Sequence, residues 1–439
     1  MLTRRDSLRL LGLSSLAASP LLTACADHGT AGSPPPPGDS TPGLRLVSAN
    51  VARSAGDSAA IPDVVTAMGG FTCDLWGHLG TERDNLALSP YSIAVALAMT
   101  ANGAAGRTQS QMLDVLHIRS LASYNAGIDA LSHQVVALAG PVTRADGTAD
   151  QIALATANQL FGDAHTEWGT AFLTVLAKEY GAGMRTVDFR SAYEAARQLV
   201  NQWTAQQTHD RIPTILPPGS VDASTRLVLV NALYLKAPWA DPFEKTSTAP
   251  QTFTRADGSR VQAQMMKADP EGAVYVSGAR FEAARLPYAG GGLAMTVALP
   301  DPGHEPEALA ALLDGGLTAK GEQGVHVELP RFTFRTPSGL KQPLIDLGMP
   351  VAFGLRGPAD FSPMSPTTPL VIDDVLHQAF VAVDESGTEA AAATAVVMRE
   401  TSGMLNTHDV VCDRPFLFVI HDTAQGTPLF VGRVADPTA

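Results

Sequence analysis

Apolar residues recur at helical spacing over 61–79, where Val64, Val65, Met68, Phe71, Leu75 and Leu79 fall near one stripe. An apolar helix is predicted over 93–99, entered through Ser89-Pro90-Tyr91-Ser92 and closed by the glycines at 103 and 106. Thr108 stands where it can cap a further helix running to Leu116. The spans 121–138, 170–180 and 192–208 also read as helices, the last with Ala196, Leu199, Val200 and Trp203 suitably spaced. Beyond residue 226 the pattern changes. The runs 227–235, 272–286, 294–299, 325–334, 370–383, 416–421 and 429–434 are rich in strand formers. Helices come first and strands dominate later, which predicts an α+β fold rather than a doubly wound sheet. No linker and no fixed-period repeat interrupts 44–439, so this part reads as one domain.

One stretch fits none of these patterns. Asp384-Glu385-Ser386-Gly387-Thr388-Glu389 leads into Ala390, Ala391, Ala392, Ala393 and Thr394. Alanine suits a helix, yet Thr394-Ala395-Val396-Val397 follows at once and favours a strand. Read as a strand from Thr388, one face carries Thr388, Ala390, Ala392, Thr394, Val396 and Met398. The other carries Glu389, Ala391, Ala393, Ala395, Val397 and Arg399, so both ionic groups share the outer face. A loop patterned like a half-buried strand points to a segment stored outside a sheet and able to enter it.

Composition narrows the function. Of the 439 residues, 45% are hydrophobic, enough for a substantial core. The net charge of −13 argues against nucleic acid, whose phosphates demand clustered Lys and Arg. Three cysteines, Cys25, Cys73 and Cys412, make no disulfide framework, and Cys73 and Cys412 read most simply as buried thiols, with a bridge between them left open. No metal-ligand spacing and no cofactor motif stands out. There is no Gly-x-Ser-x-Gly elbow and no His-Glu-x-x-His. Gly290-Gly291-Gly292 reads as a turn, and Pro306 after His304-Glu305 is unsuited to a metal-binding helix.

The N-terminus reads as an export signal over 1–25. Arg4-Arg5 precedes an apolar run, Leu10 to Leu22, too short to span a membrane comfortably. Twin arginines resemble the signal of the folded-protein export route, and Leu22-Thr23-Ala24-Cys25 resembles a bacterial lipobox, which implies Cys25 as a lipidation site; a short signal with an incidental cysteine is the alternative. Residues 26–43, rich in Pro, Gly and Ser and containing Pro34 to Pro37, form a semi-rigid spacer. These features place the protein at a bacterial cell envelope or outside the cell, held to the membrane only through lipid.

The stretch from Gly387 to Thr394 resembles the reactive-loop hinge of the serpins, the serine protease inhibitor family. Other motifs follow in the family's order: Asn85-Leu86-Ala87-Leu88-Ser89-Pro90-Tyr91-Ser92, Ala157-Asn158-Gln159-Leu160-Phe161, Val187-Asp188-Phe189 and Asn201-Gln202-Trp203. They continue through Leu229 to Lys236, Trp239, Met265-Met266, Leu286-Pro287-Tyr288 and Leu329-Pro330-Arg331-Phe332, to Arg414-Pro415-Phe416 and Leu429 to Val434. The resemblance covers most of the chain from about Ile61. It implies three sheets, about nine helices and an exposed reactive loop near 385–410.

The resemblance also implies a mechanism. A serine-type protease begins to cleave the loop, forms a covalent acyl complex, and is trapped when the freed loop inserts into the main sheet of a metastable monomer. Fourteen residues on from Gly387 lies Thr401, which gives Thr401–Ser402 as the reactive bond. Counting back from Pro415 falls instead near Met404, and Arg399, Met398 and Leu405 stay open. Ser89, Ser92, Asn231 and His377 match the family's shutter, a mutually bonded polar cluster where the central strands part. Trp239 matches the breach, where insertion starts, and Arg331 a basic position that pairs with Glu385. Taken singly, His377 and Trp239 would be ordinary core residues. A non-inhibitory serpin-fold binding or scaffold protein is the competing reading, and bulky or charged hinge residues would mark it; a lipid-anchored enzyme is the third.

Overall fold

The computed structural model describes residues 41–79, 84–389 and 408–439. These belong to one compact unit. Eight α-helices occur among them: α1 (Ile61–Trp76), α2 (Pro90–Ala101), α3 (Gly106–Val115), α4 (Leu121–Ala137), α5 (Thr170–Tyr180), α6 (Phe189–Gln207), α7 (Glu305–Leu313) and α8 (Lys341–Asp346). Pro90 opens α2, where a missing N–H costs nothing, and the Ser89 side chain caps it by accepting from the Ser92 N–H. Every residue of α2 is buried. A helix apolar all round must be enclosed, and α2 lies between two sheets.

Three sheets complete the α+β architecture. The main sheet runs in the order Arg45–Val47, Met184–Val187, Ala149–Asp163, Leu227–Pro238, Gly387–Thr388, Asp374–Asp384, Phe332–Gly339, with Gly140–Thr143 paired to the side of Ala149–Asp163. A seven-stranded sheet packs behind α2, and a four-stranded sheet carries His408–Val411, Val325–Pro330, Arg260–Ala268 and Ala249–Thr254. Helix α6 lies across the front of the main sheet, where Val200 and Trp203 pack with Phe161, Val228 and Val230.

Several boundaries differ from the sequence reading, each for a local reason. The 325–334 run is two strands in different sheets, broken where Arg331 turns its N–H to the Gln264 carbonyl. The 272–286 run is a hairpin, Val274–Gly278 and Phe281–Pro287. Thr108 does not cap α3, which begins at Gly106; its hydroxyl accepts instead from the Asp360 N–H at 2.8 Å. Pro306 does not prevent a helix, because it occupies the first turn of α7. The longest strand, Ala149–Asp163, escaped pattern reading because its small and polar residues mimic a loop. Cys73 and Cys412 are both free thiols, the latter buried.

The main sheet has an unusual middle. The neighbours Leu227–Pro238 and Asp374–Asp384 pair in parallel from Val228 opposite Asp374 to Leu233 opposite Ala379. Above that point they diverge, and among the described residues only Gly387–Thr388 joins them, antiparallel to both. A cavity of about 430 Å³ lies beside this opening, lined in part by Tyr234, Lys236, Phe380 and Ala382.

Two buried histidines set an acid limit on the fold. Burial pushes the pKa of His377 and of His421 down to about 4. His421 stays neutral between the Thr296 hydroxyl at 2.9 Å and the Asp422 carbonyl at 3.0 Å. The unfolded chain binds both protons near pH 6.5, so stability is complete above that pH and falls towards pH 4, by up to about 3 kcal/mol per histidine. Urea unfolding across this window is expected to show a falling midpoint, and His421→Gln to flatten it; an unchanged slope in the variant would exclude His421.

Candidate functional site

The site lies where the two central strands part. Gly387 is paired with Pro238 on one side and Asp384 on the other, and Thr388 with Ala237 and Val383. Two residues of the hinge therefore already sit between the two strands. Glycine is required at 387: its φ is +151°, and an added Cβ would stand 2.2 Å from the Ala237 carbonyl oxygen. Thr388 is 2% exposed and hydrogen-bonds the hydroxyl of fully buried Tyr288.

The paired stretch ends at Thr388. Glu389 has φ +50°, which turns it out of the sheet. Its carboxylate pairs with Arg211, and its N–H donates to the Ala382 carbonyl at 2.7 Å. Burial holds the Glu389 carboxyl above its ordinary range, with Arg211 opposing the shift. Arg211 and Arg335 both lie over the Phe380 ring, at 5.7 and 5.0 Å.

The turn before the hinge is pinned by a dense set of contacts. The indole N–H of Trp239 donates to the Asp384 carbonyl at 3.0 Å, and its backbone N–H to the Ser386 carbonyl at 3.0 Å. Trp239 stacks on Tyr288 with ring centres 4.6 Å apart. Glu385, 2% exposed, accepts from Arg331 Nε at 2.7 Å and from the Thr248 hydroxyl at 2.5 Å. Burial pushes the Glu385 carboxyl up, but the bonds from Arg331 and Thr248 outweigh it and leave the pKa below the ordinary range.

A polar row crosses the sheet below the opening. Asn158, Asn231 and His377 stand abreast on three neighbouring strands. The Ser89 N–H donates to His377 Nε2 at 3.0 Å, which burial keeps neutral and able to accept. Ser92 donates its hydroxyl to Asn158 Oδ1. The expected bonding is corrected in one respect. Asn231 lies in the row, yet its side-chain amide has no hydrogen-bond partner among the described residues. The Ser92 hydroxyl goes to Asn158, one strand further out.

Asn158, Tyr288, Thr248 and Arg211 were not singled out as site residues. Asn158 and Tyr288 sit within family-like motifs, but nothing local ties either to its partner 66 or 100 residues away. Ala390, Ala391, Ala392, Ala393 and Thr394, the bond candidates Arg399, Thr401, Ser402 and Met404, and Cys25 lie outside the described residues. Elsewhere, Asp163, His165 and Asp188 form one cluster with metal-ligand spacing among the described residues. Arg190 donates to Asp163 Oδ2 at 2.7 Å and the Ser191 N–H to Asp188 at 2.9 Å at the start of α6, while Asp163 Oδ1 has no hydrogen-bond partner among the described residues.

The family model for serpin (serine protease inhibitor) matches residues 66–437. The chain belongs to the serpin family. This serpin is 34% identical to the leukocyte elastase inhibitor of Sus scrofa over 383 residues, 84% of this chain and 97% of the relative. It is 36% identical to serpin B6 of Pongo abelii, covering 84% of this chain and 98% of the relative. Among solved structures, the thermophilic serpin tengpin in its native state matches with a TM-score of 0.76 at 27% identity, covering 89% of this chain and 97% of that one. Uncleaved ovalbumin matches with a TM-score of 0.70 at 25% identity, covering 85% and 100%.

Two expectations follow from this serpin's geometry. Gly387→Val is expected to force residues 387 and 388 out from between their neighbours, read as faster hydrogen exchange of the 384–389 peptide; unchanged protection would show that the strands yield instead. Arg331→Ala leaves buried Glu385 without its cation, with Thr248 as its side-chain partner, and is expected to cost about 1–3 kcal/mol in the urea unfolding of the native form. A loss of a few tenths would mark the pair as an ordinary surface contact.

Proposed function

We propose that this serpin is a suicide-type inhibitor of serine proteases, with cysteine proteases as a second class open to the same acyl chemistry. The observation that carries the reading is a hinge already seated by Gly387 and Thr388 and followed in sequence by Ala390 to Ala393. Small residues pass between strands without clashes, so nothing in the hinge composition opposes further entry. The protease nucleophile attacks the carbonyl of the reactive bond, the amide breaks, and the new amine leaves with a proton. The carbonyl carbon stays on the enzyme as an ester. Thr401–Ser402 is the proposed bond, with Arg399 and Met404 as the alternatives to be separated.

The driving force is backbone pairing. A strand that extends Gly387–Thr388 gains ladder bonds to Leu227–Pro238 and Asp374–Asp384, where the loop had bonded to water. At roughly 1 kcal/mol net per bond, a dozen bonds supply on the order of 10 kcal/mol. Insertion carries the ester-linked protease with it, and the inhibitor is consumed. The proposed setting is a monomer exported from a bacterial cell and lipidated at Cys25, with residues 26–43 as the spacer.

A gel assay against a protease panel is expected to show a detergent-stable complex, and mass spectrometry of the released peptide to place the cut at Thr401. Cleavage without complex from every protease would favour the non-inhibitory binding protein. Nicking the loop is expected to raise the melting temperature sharply, as the sheet gains a strand. Thr388→Arg would put a charge into the buried seat between the two strands and is expected to turn inhibitor into substrate. Complexes at the original stoichiometry would refute that account.

A further inference from the structure

We infer that Tyr288 is a socket that reads the hydroxyl of Thr388 and so sets how firmly the hinge is seated before any protease arrives. The inference rests on the inhibitor reading for its consequence, though not for its geometry.

Tyr288 is fully buried, and Thr388 is 2% exposed. The bond between their hydroxyls is the only one either makes among the described residues. Tyr288 cannot swing away. Its ring stacks on Trp239 at an interplanar angle of 3°, and its backbone N–H donates to the Leu293 carbonyl at 3.0 Å. Trp239 is itself held to the hinge turn through the Asp384 and Ser386 carbonyls. A rigid buried hydroxyl therefore faces the first side chain that stands in the sheet.

The physical consequence is a selection rule. A buried hydroxyl without a partner is costly, whereas two apolar groups of the same shape are nearly neutral. With threonine or serine at 388 both hydroxyls are satisfied when the hinge is seated. With valine the Tyr288 hydroxyl is stranded, and with phenylalanine at 288 the Thr388 hydroxyl is stranded. Removing both groups restores a matched site. A tyrosine that served only as filler would not produce such rescue. Its loss would simply add to the loss at 388.

The test is a double-mutant cycle on the full chain. Tyr288→Phe keeps the ring stack, and Thr388→Val keeps the branched shape. Hydrogen exchange of the 384–389 peptide in the uncleaved protein is the first readout. Each single variant is expected to exchange about tenfold faster than the parent, and the double variant to return most of the way. Thr388→Ser, which keeps the hydroxyl, is expected to match the parent and holds the inference open to refutation even if Tyr288→Phe folds poorly. The second readout is the number of inhibitor molecules consumed per protease trapped, expected to rise severalfold in the single variants and fall back in the double. Additive effects, or single variants that exchange like the parent, would overturn the socket whatever the inhibition data show. If the parent traps no protease, the inhibitor reading falls while the exchange cycle still decides the socket.

Discussion

Two parallel strands that pair at one end and part at the other are the constraint on which this molecule turns. Leu227–Pro238 and Asp374–Asp384 share a ladder only as far as Leu233 and Ala379. Beyond it, among the described residues, Gly387–Thr388 joins the two strands, antiparallel to both. Strand edges in the middle of a sheet carry backbone groups that need partners, so whatever stands between these two strands is held on both sides. A cavity lies beside the place where they part.

The chemistry around the opening divides by depth. At the top, charge does the holding: Glu385 is buried but ionised because Arg331 and Thr248 both bond it, and Glu389 is drawn to Arg211 on turning out of the strand. Below, neutral groups take over. Burial keeps His377 uncharged, so it accepts from the Ser89 N–H, and that contact ties the middle of the sheet to the start of α2. A polar row in a dry interior is worth most when each member is bonded. Asn231, whose amide has no partner among the described residues, is where the row is least complete, and His377 Nδ1 also has none among them.

How far these features were legible depends on the distance over which each is encoded. The α1, α4 and α5 spans were readable because periodic burial is local. The Ala149–Asp163 strand was not, because its alanines and asparagine gain strand character only from neighbours on both sides. Thr388 was legible as a residue that must bury. The receiving hydroxyl of Tyr288 was not, since one hundred residues separate the two and no spacing links them. The bonding of Ser92 to Asn158 rather than Asn231 is of the same kind. It depends on which strand lies above the serine, a fact of sheet order.

The chain's own order of residues determined the α+β class, the membership of its ordered motifs in one family, and the small, nearly uncharged hinge. The class and the hinge follow from composition and short-range periodicity, and the family from the resemblance of its ordered motifs. Only the tertiary structure decided that the hinge has entered by two residues, that it turns out of the sheet at Glu389, and that Tyr288 meets Thr388. The reason is physical. How far a segment enters a sheet is a balance between backbone pairing on two flanking strands and the side chains waiting at the mouth, and those groups come together only when distant parts of the chain fold against one another.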